Sequence, residues 1–368
     1  MKILQVGNTA NIGYLTTKQL RKDGIDVDLL LDPSGTFPSK SDPSLKNGYP
    51  EWCVFYHRKK YFWKLKILKT MRKKKYDLIH AYAETPIFAF LSGKKYIVQA
   101  LGSDTRELAR SNSIRGILLR RAYKKAKIIL FAMPDLLPIY SKFGLKNCIF
   151  FPLMVDSSFY KPKKFLDNEY HEKFVVFHPT NLIWRHKRND ILLKGFAKFV
   201  ETNPKSILII IDNGEDSEKT HQLVKSLGLN EKVKFINGPL NSNELLHYYN
   251  IADVVADSFL FPAMSGITNE ALCCEKPVIT YCPPSTWKGF YPEAPPILNS
   301  STEDEVFQNL ELLKDNKKRL EIGKKSREWI TKYNDPNVYC SKFRTVYESV
   351  INGDNLGQIR DKLDKITP

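Results

Sequence analysis

Short apolar runs alternate with longer amphipathic stretches along almost the whole chain. Short runs bounded by polar turns are typical of strands buried in a parallel sheet, and the amphipathic stretches are typical of the helices that cover it. The pattern therefore predicts an α/β protein built from βα units. The predicted strands are 2–6, 27–31, 78–82, 96–100, 128–132 and 149–151 in the first half, and 174–178, 207–211, 233–236, 254–256 and 278–281 in the second.

The strand pattern restarts in the middle of the chain, where the residues around 159–164 are mostly polar. The sequence therefore predicts a first Rossmann-like domain over 1–162 and a second over 170–332. From 302 to about 356 no strand pattern appears, and successive helices are predicted instead. We expect the last segment, 333–368, to pack back on the first domain.

One long polar segment, 32–50, follows the second predicted strand and is rich in Pro, Ser and Gly. This composition predicts a loop. An ordinary surface loop and a mobile loop over an acceptor site both fit the pattern.

Charge is divided unevenly along the chain. The 57 Lys and Arg outnumber the 40 Asp and Glu, which gives a net charge of +17. Residues 1–160 hold 28 basic and 12 acidic residues, whereas 161–368 hold 29 basic and 28 acidic residues. A surplus concentrated in the N-terminal half predicts an anionic partner for that half.

Cysteine usage and hydropathy indicate the compartment. The 6 cysteines form no CxxC pair, and in a chain of 368 residues they do not make a disulfide scaffold. No apolar run approaches the roughly 20 residues needed to cross a bilayer, and the apolar run at the start is too short for a signal peptide. We expect a cytoplasmic protein that is neither secreted nor membrane-spanning, and peripheral contact with a membrane stays open.

The turns that follow strands are the candidate binding sites, because paired Rossmann-like domains bind ligands at the carboxyl ends of their strands, in the cleft between the domains. The first turn, 7–13, leads into a helix predicted from about Tyr14 and lacks the GxGxxG spacing of a dinucleotide site. Its small residues, Gly13 among them, would let backbone amides approach a phosphate. A plain tight turn is the alternative.

A cluster of four basic residues, 185–188, precedes the predicted helix 191–200. The N-terminus of a helix disfavours cations unless an anion shares the site. The cluster therefore favours phosphate binding over a solvated basic surface.

The stretch 252–278 predicts a strand, a loop of small residues, a helix that begins at about Gly266, and a further strand. Gly266 would permit close approach of the backbone to a diphosphate. Glu270 lies one turn into this helix and would accept hydrogen bonds from a ribose diol, whereas a solvated surface glutamate is the alternative.

Taken in order, these stretches resemble the motifs of glycosyltransferase family 4, which contains retaining, nucleotide-sugar-dependent enzymes of the GT-B fold. The resemblance implies an α/β fold of two Rossmann-like parallel-sheet domains facing a central cleft. It also implies that the first domain binds the acceptor and the second binds the nucleotide sugar. The matching stretches are 102–104, 152–162, 187–196, 212–214 with 233–239, and 252–278.

Carried over residue by residue, the resemblance implies a donor site. Lys187 would neutralise the donor diphosphate, and Glu270 would hold the ribose. The backbone at 238–239 would border the base, and the amides of 265–267 would meet the diphosphate and the transferred sugar. The candidate catalytic residues are Lys187, Arg185, Glu270 and Asp104, and the candidate donor-binding residues are Gly13, Asn181, Lys187, Gly214, Gly238, Pro239, Ser265, Gly266, Ile267 and Glu270.

The chain also departs from the family pattern. Pro262 stands where the family has its first glutamate, and Asp257 is a carboxylate that could replace it. Leu101 takes the place of a histidine before 102–104. Arg185 is the basic residue nearest to the position of the family's arginine.

Residues 57–75 combine 10 Lys or Arg with no acidic residue. A cationic amphipathic helix with aromatic residues at its edge fits an anionic membrane surface, and a core-packed helix with a solvated polar face is the alternative. We expect contact with an anionic membrane through 57–75, and a second basic patch lies at 115–127. The apolar positions of the predicted helix are Tyr61, Phe62, Trp63, Leu65, Ile67, Leu68 and Met71.

The resemblance implies a retaining glycosyltransferase that moves a sugar from a nucleoside diphosphate, with UDP expected first. Together with the charge asymmetry, it predicts a lipid-linked or polysaccharide acceptor at the cytoplasmic membrane face. The nucleotide sugar is a substrate, and no cofactor is expected. No metal is expected either, because Lys187 supplies positive charge and neither site-forming loop of the second domain holds a carboxylate pair with DxD spacing. One alternative is a degenerate GT-B protein that binds the nucleotide sugar without turnover. The hypothesis of a nucleic-acid-binding protein is supported by the net charge alone, so a nucleic-acid partner is not expected.

Overall fold

The computed structural model describes residues 1–34, 48–165 and 169–366. Most of the predicted loop 32–50 therefore lies outside the described residues. The chain forms two compact units, which we name the first unit (Met1–Met154 with Pro336–Pro368) and the second unit (Val155–Asp335).

Each unit is built on one sheet whose paired strands are all parallel. The first unit has a 7-stranded sheet in the order β3-β2-β1-β4-β5-β6-β7, and the second has a 6-stranded sheet in the order β10-β9-β8-β11-β12-β13. The strands are β1 Lys2–Val6, β2 Asp26–Leu31, β3 Cys53–Phe55, β4 Leu78–Tyr82, β5 Tyr96–Ala100, β6 Ile129–Phe131, β7 Cys148–Phe150, β8 Phe174–His178, β9 Ser206–Asp212, β10 Val233–Asn237, β11 Val254–Ala256, β12 Val278–Thr280 and β13 Leu298–Asn299.

Helices connect most of the consecutive strands, which is the usual form of the crossover that parallel pairing needs. No helix in the described part of the chain is long and apolar enough to cross a membrane. The helices are α1 Ile12–Lys22, α2 Trp63–Met71, α3 Pro86–Ser92, α4 Ile114–Lys125, α5 Leu137–Lys142, α6 Trp184–Lys187, α7 Asn189–Thr202, α8 Ser217–Ser226, α9 Ser242–Ile251, α10 Gly266–Cys273, α11 Pro284–Trp287, α12 Glu303–Leu313, α13 Asn316–Asn334, α14 Pro336–Asn352 and α15 Leu356–Asp364.

The core of the first unit depends on helix α14, which comes from the far end of the chain. Its residues Phe343 and Val346 are fully buried against apolar side chains of the sheet. A buried polar contact adds to this packing, because the Tyr347 hydroxyl lies 2.9 Å from Gln5 Nε2 and 2.8 Å from His80 Nδ1. Residues 336–366 are therefore an integral part of the first unit.

The second unit packs its sheet against helices α7 and α12. Gly195 in α7 allows their close contact, since a Cβ atom there would lie 2.7 Å from the Glu303 carbonyl oxygen and from Val306. The register runs Phe177 opposite Ile209 on one side of β8 and Val255 on the other. Strands β10, β9, β8 and β11 thus end at the same edge of the sheet, and the loops that follow them lie side by side.

The α/β class is confirmed, and so are the predicted strands, with ends that shift by one residue or less at most positions. Two strands were missed. The first, β3, and the last, β13, are edge strands of three and two residues. Strands this short do not contain a recognisable apolar run, and each forms only because a longer neighbour offers it hydrogen bonds.

Candidate functional site

The N-terminus of α10 opens the candidate site in the second unit. Ser265 is the N-cap, and its Oγ accepts from the amides of Ile267 at 3.1 Å and Thr268 at 3.4 Å. Gly266 is exposed, and a Cβ atom there would meet no other atom within 4 Å. The amides of Ile267 and Thr268 are therefore occupied by the cap, and the open start of the helix is at Gly266, where the helix dipole favours an anion.

A buried carboxylate holds this helix start in place. Asp257 follows β11, is fully buried, and accepts hydrogen bonds from the hydroxyls of Thr180 (2.8 Å), Ser265 (2.6 Å) and Thr268 (2.7 Å). Its oxygens are therefore occupied by the protein. The hypothesis that Asp257 replaces the family's first glutamate is wrong, because a carboxylate sealed among three hydroxyls is not presented to a sugar.

Two further buried side chains tie the loop after β8 to its neighbours. His178 Nδ1 lies 2.8 Å from the Ala256 carbonyl oxygen, and its Nε2 lies 2.8 Å from Asn189 Nδ2. Nδ1 must donate and Nε2 must accept, so the ring is neutral. Burial lowers the pKa of His178 to about 4, which keeps it neutral at physiological pH.

Lys187 is the last residue of α6 and the best-placed cation of the basic cluster. Its carbonyl accepts from the Phe259 amide at 2.8 Å, which joins the loop after β8 to the loop after β11. The side chain is half-buried and forms no ion pair with any residue that the structure describes. Its ammonium group therefore has a charge to offer a ligand.

The two arginines of the basic cluster 185–188 form ion pairs with acidic residues. Arg185 is exposed, and its Nε donates to Glu215 at 2.7 Å. Arg188 forms a bidentate pair with Asp190 at 2.9 and 3.1 Å. Arg185 thus lies on the surface against a glutamate, and its catalytic role stays a prediction.

Glu270 lies one turn into α10, as the sequence predicted for the helix. Its Oε2 accepts from the Tyr249 hydroxyl at 2.8 Å. Burial raises the pKa of Glu270 to about 7, the hydroxyls of Tyr249 and Tyr160 oppose this, and the charge of Asp257 adds to it. The Glu270 carboxyl group therefore has a pKa close to neutral pH, and its ionised form can accept further hydrogen bonds.

The loops after β9 and β10 lie at the same edge of the second unit's sheet as the loops after β8 and β11. Asn213 Nδ2 donates to Asn181 Oδ1 at 3.0 Å, and the Asn213 carbonyl accepts from the Leu182 amide at 2.8 Å. Gly214 lies so close to the Leu182 backbone that a Cβ atom would collide with it. Beside them, Gly238 packs against Ile211 and precedes Pro239 through a cis peptide bond. The structure thus brings Asn181, Gly214, Gly238 and Pro239 to one edge with Lys187, Ser265, Gly266, Ile267 and Glu270.

Gly13 and Asp104 lie in the first unit. Gly13 lies inside α1 and touches the Gly7 carbonyl, so a side chain there would collide with the turn. Asp104 is buried, and it accepts from the amides of Leu101 at 3.0 Å and Gly102 at 2.8 Å and from the Tyr123 hydroxyl at 2.5 Å. Burial raises the pKa of Asp104, and these hydrogen bonds oppose the rise. Both residues have a structural reason to be there, and their functional roles stay predictions.

The first unit has a cavity of about 910 Å³ at the carboxyl edge of its own sheet. Its wall carries both acidic and basic groups, and among them Arg58 donates to Glu84 at 2.9 Å. Ala10 and Ala83 at its rim adopt positive φ angles of 50° and 53°, which non-glycine residues rarely adopt and which cluster at functional sites. The charged residues of the wall are Asp32, Arg58, Lys59, Glu84, Asp104 and Glu107.

Sequence reasoning missed the network that supports the donor-site residues. Thr180, Asn189 and Tyr249 carry no motif of their own, and their partners are distant in sequence. The one available signal was the polar residue Asp257 directly after an apolar strand. Within the described residues there is no group of three or more His, Cys, Asp or Glu that could hold a metal ion.

The two parallel-sheet units match the structures of GT-B glycosyltransferases. Residues 161–329, which carry the candidate donor site, match the family model described as Glycosyl transferases group 1. The chain is 26% identical over 192 residues to the N-acetyl-alpha-D-glucosaminyl L-malate synthase of Bacillus anthracis, an alignment that covers 50% of this chain and 48% of that protein. The aligned part thus spans about half the length of this curated relative.

Solved structures resemble the chain over nearly its whole length. Anabaena Alr3699/HepE, crystallised in complex with UDP and glucose, matches with a TM-score of 0.76 at 17% identity, covering 95% of this chain and 100% of that chain. The sucrose-phosphate synthase of Thermosynechococcus elongatus matches with a TM-score of 0.73 at 15% identity, covering 96% of this chain and 100% of that chain. At such identities the likeness establishes the fold.

Proposed function

We propose that the chain is a retaining glycosyltransferase of family 4 that transfers a sugar from a UDP-sugar to a lipid-linked or polysaccharide acceptor. One observation carries the proposal: Lys187, whose ammonium forms no ion pair with any described residue, is joined to the loop that leads to the N-terminus of α10 by the hydrogen bond from the Phe259 amide to the Lys187 carbonyl. Both supply positive charge at one sheet edge, and Glu270 adds a hydrogen-bond acceptor in the same helix. A diphosphate attached to a ribose fits this set.

The proposed chemistry uses these groups to stabilise the leaving group. The bond between the sugar C1 and the β-phosphate oxygen breaks, and the bond from the acceptor oxygen to C1 forms on the same face. Negative charge develops on the departing UDP, and Lys187 and the N-terminus of α10 at Gly266 stabilise it most in the transition state. The acceptor proton passes to a phosphate oxygen of the donor, so this scheme has no enzymic base.

UDP is proposed as the nucleotide because Alr3699/HepE has been crystallised with UDP and glucose. The acceptor is assigned to the cavity of the first unit, since its carboxylates and Arg58 can accept and donate hydrogen bonds to hydroxyl groups. Lys187 supplies the charge that a metal ion would otherwise supply. We therefore expect turnover to survive EDTA.

Thermal shifts with UDP, GDP and ADP test the donor site. Wild-type protein is expected to respond selectively to UDP, and Lys187→Ala should weaken UDP binding by about tenfold to a hundredfold, the range for one charge-assisted hydrogen bond. Lys194→Ala is the matched control, because Lys194 is exposed on the adjacent helix α7. Equal losses in both variants, or no response to any nucleotide, would contradict the assignment.

Turnover is measured as release of UDP from UDP-sugars in the presence of candidate acceptors, and the anomeric configuration of the product reports retention. The alternative is a protein that binds the nucleotide sugar without turnover. It is favoured by Pro262 and Leu101, which lack the carboxylate and imidazole expected at those positions. UDP binding without UDP release across donors and acceptors would favour this alternative.

A further inference from the structure

Apolar side chains are exposed on the first unit where its positive charge is densest. Tyr61 is 92% exposed, Phe62 is 66% exposed and Leu65 is 60% exposed. They lie just before and within α2, whose opposite side buries Ile67 and Met71. The apolar residues of 57–75 thus divide into an inward set, which packs in the core, and an outward set, which does not. Core packing therefore accounts for only part of the pattern.

All ten Lys and Arg of 57–75 are exposed around these side chains. Arg58 pairs with Glu84, and Lys75 pairs with Asp28. The other eight form no ion pair with residues in the described ranges. An apolar groove of about 560 Å³ lies among them, lined by Phe62, Leu65, Lys66, Leu68, Lys69, Arg72 and Lys73.

Exposed apolar and cationic side chains also occur on the neighbouring helices α3 and α4. Arg72 Nη2 at the end of α2 donates to the Leu91 carbonyl in α3 at 3.0 Å. Glu84 pairs with both Arg58 and Arg115, which brings the start of α4 beside the segment that leads into α2. Next to Arg115, Ile114 is 78% exposed. Exposed apolar and cationic side chains therefore occupy adjacent elements, not one helix alone.

We propose that this surface, formed by residues 58–73 with Leu91 and 114–115, docks the first unit on an anionic membrane. A phospholipid bilayer offers negative headgroups to the lysines and an apolar interior to the aromatic and aliphatic tips. Charge complementarity selects an anionic bilayer over a neutral one, and the apolar tips select a bilayer over a soluble polyanion. Arg58 and Lys59 also line the cavity of the first unit, so the surface borders that cavity.

The test is co-sedimentation of the full-length chain with vesicles of phosphatidylcholine alone or with phosphatidylglycerol, at about 0.15 M salt. Wild-type protein should bind only the vesicles that contain phosphatidylglycerol. The combined variant Lys66→Ala, Lys69→Ala, Lys73→Ala should lower this binding by about a hundredfold. Its control is Lys317→Ala, Lys318→Ala, Lys324→Ala, which removes the same charge from exposed positions of α13 and should bind as wild type.

The apolar tips are tested by Tyr61→Ser, Phe62→Ser, Leu65→Ser, which should lower binding by about tenfold or more. The control is Leu320→Ser in α13, where the side chain is 66% exposed. Every variant should keep the wild-type melting temperature, and Tyr61→Ser alone replaces the combined variant if that one melts lower. Absence of binding overturns the proposal. So does an equal loss in the control variants, or wild-type binding by the Tyr61 variants, which would indicate a surface for polyanions in general.

Discussion

At the scale of single residues, the raised pKa of Glu270 is the property that experiment can test most directly. A carboxylate in water titrates near pH 4.3. Here burial raises the pKa of Glu270 to about 7, although the Tyr249 hydroxyl donates to it at 2.8 Å. A ribose diol would donate to the ionised form, so ligand binding and deprotonation of Glu270 favour each other.

UDP affinity is therefore expected to rise with pH up to about 7 and to level off above it, by up to tenfold per pH unit on the acid side if only the ionised form binds. Glu270→Gln should bind UDP more weakly and without this dependence. Titration calorimetry between pH 5.5 and 8.5, roughly one to two units on either side, measures both effects.

Glu275→Gln is the control for this titration, because Glu275 is exposed two residues after the end of α10. It should retain the pH dependence of the wild type. A Glu270→Gln variant that keeps the same slope would show that another group titrates, and the assignment of the ribose to Glu270 would then be wrong.

Single residues also show how far the sequence alone could lead. The resemblance to the family's motifs singled out Lys187 and Glu270, and the placement of Glu270 one turn into a helix followed from local sequence. The role predicted for Asp257 was wrong, and the role of Arg185 stays a prediction. Their hydrogen-bond partners, Thr180 and Glu215, are 77 and 30 residues away in the sequence. Whether a charged group is free or occupied depends on such contacts, which spacing does not encode.

At the scale of elements, the start of α10 is fixed to two strands by one carboxylate. Asp257 follows β11, Thr180 follows β8, and Ser265 caps α10. Three hydroxyls donate to this single buried group, so the amides of α10 are held in position before any ligand arrives. Such preorganisation makes the helix terminus more effective at stabilising charge.

Asp257→Asn tests this link, because the amide retains the size of the side chain but loses the charge and half of the acceptor capacity. The free energy of unfolding should fall by about 1–3 kcal/mol. UDP affinity and kcat should fall as well, because the α10 amides lose their fixed position. Urea denaturation and calorimetry provide the two readouts.

The matched control is Asp253→Asn at the opposite end of β11, where the carboxylate accepts from the Val175 amide at 2.8 Å. This variant should lose stability and keep its UDP affinity. If both variants lower affinity in proportion to their stability, then Asp257 acts on the fold in general and not on the helix start.

The elements themselves were largely predictable. Strands β1, β4, β5, β8 and β11 match the predicted ranges because each is a buried apolar run between polar turns. Strands β3 and β13 were not predicted, since edge strands of three and two residues derive their conformation from a neighbour. The short helix α6 was also not predicted, and it places Lys187 at its end.

At the scale of the whole molecule, the candidate donor site belongs to the second unit and the proposed membrane-docking surface to the first. The sequence already indicated this division, because the charge surplus is concentrated before residue 160. The sequence does not indicate which lysines form ion pairs or which apolar residues are buried. Ile67, for example, is buried, whereas Leu65 two positions earlier is 60% exposed.

Ligand-induced changes in hydrogen exchange should follow this division. UDP at about 100 times its dissociation constant stabilises the unit that binds it by roughly 2.7 kcal/mol, so exchange that requires its opening should slow by about a hundredfold. Exchange mass spectrometry with UDP alone should show slowing in the second unit, and slowing confined to the cavity loops of the first unit would contradict the site. The expected segments are 178–187, 212–214, 237–239 and 257–273.

The return of α14 to the first unit has a consequence for how the protein is made. The first unit begins the chain, yet Phe343, Val346 and Tyr347 belong to its core and emerge from the ribosome after the entire second unit. Domains generally fold as they are synthesised, from the N-terminus onward. Here the order differs, since all residues of the second unit precede α14, which supplies the last part of the first unit's core. We therefore expect the nascent chain to expose part of this core until α14 has been synthesised.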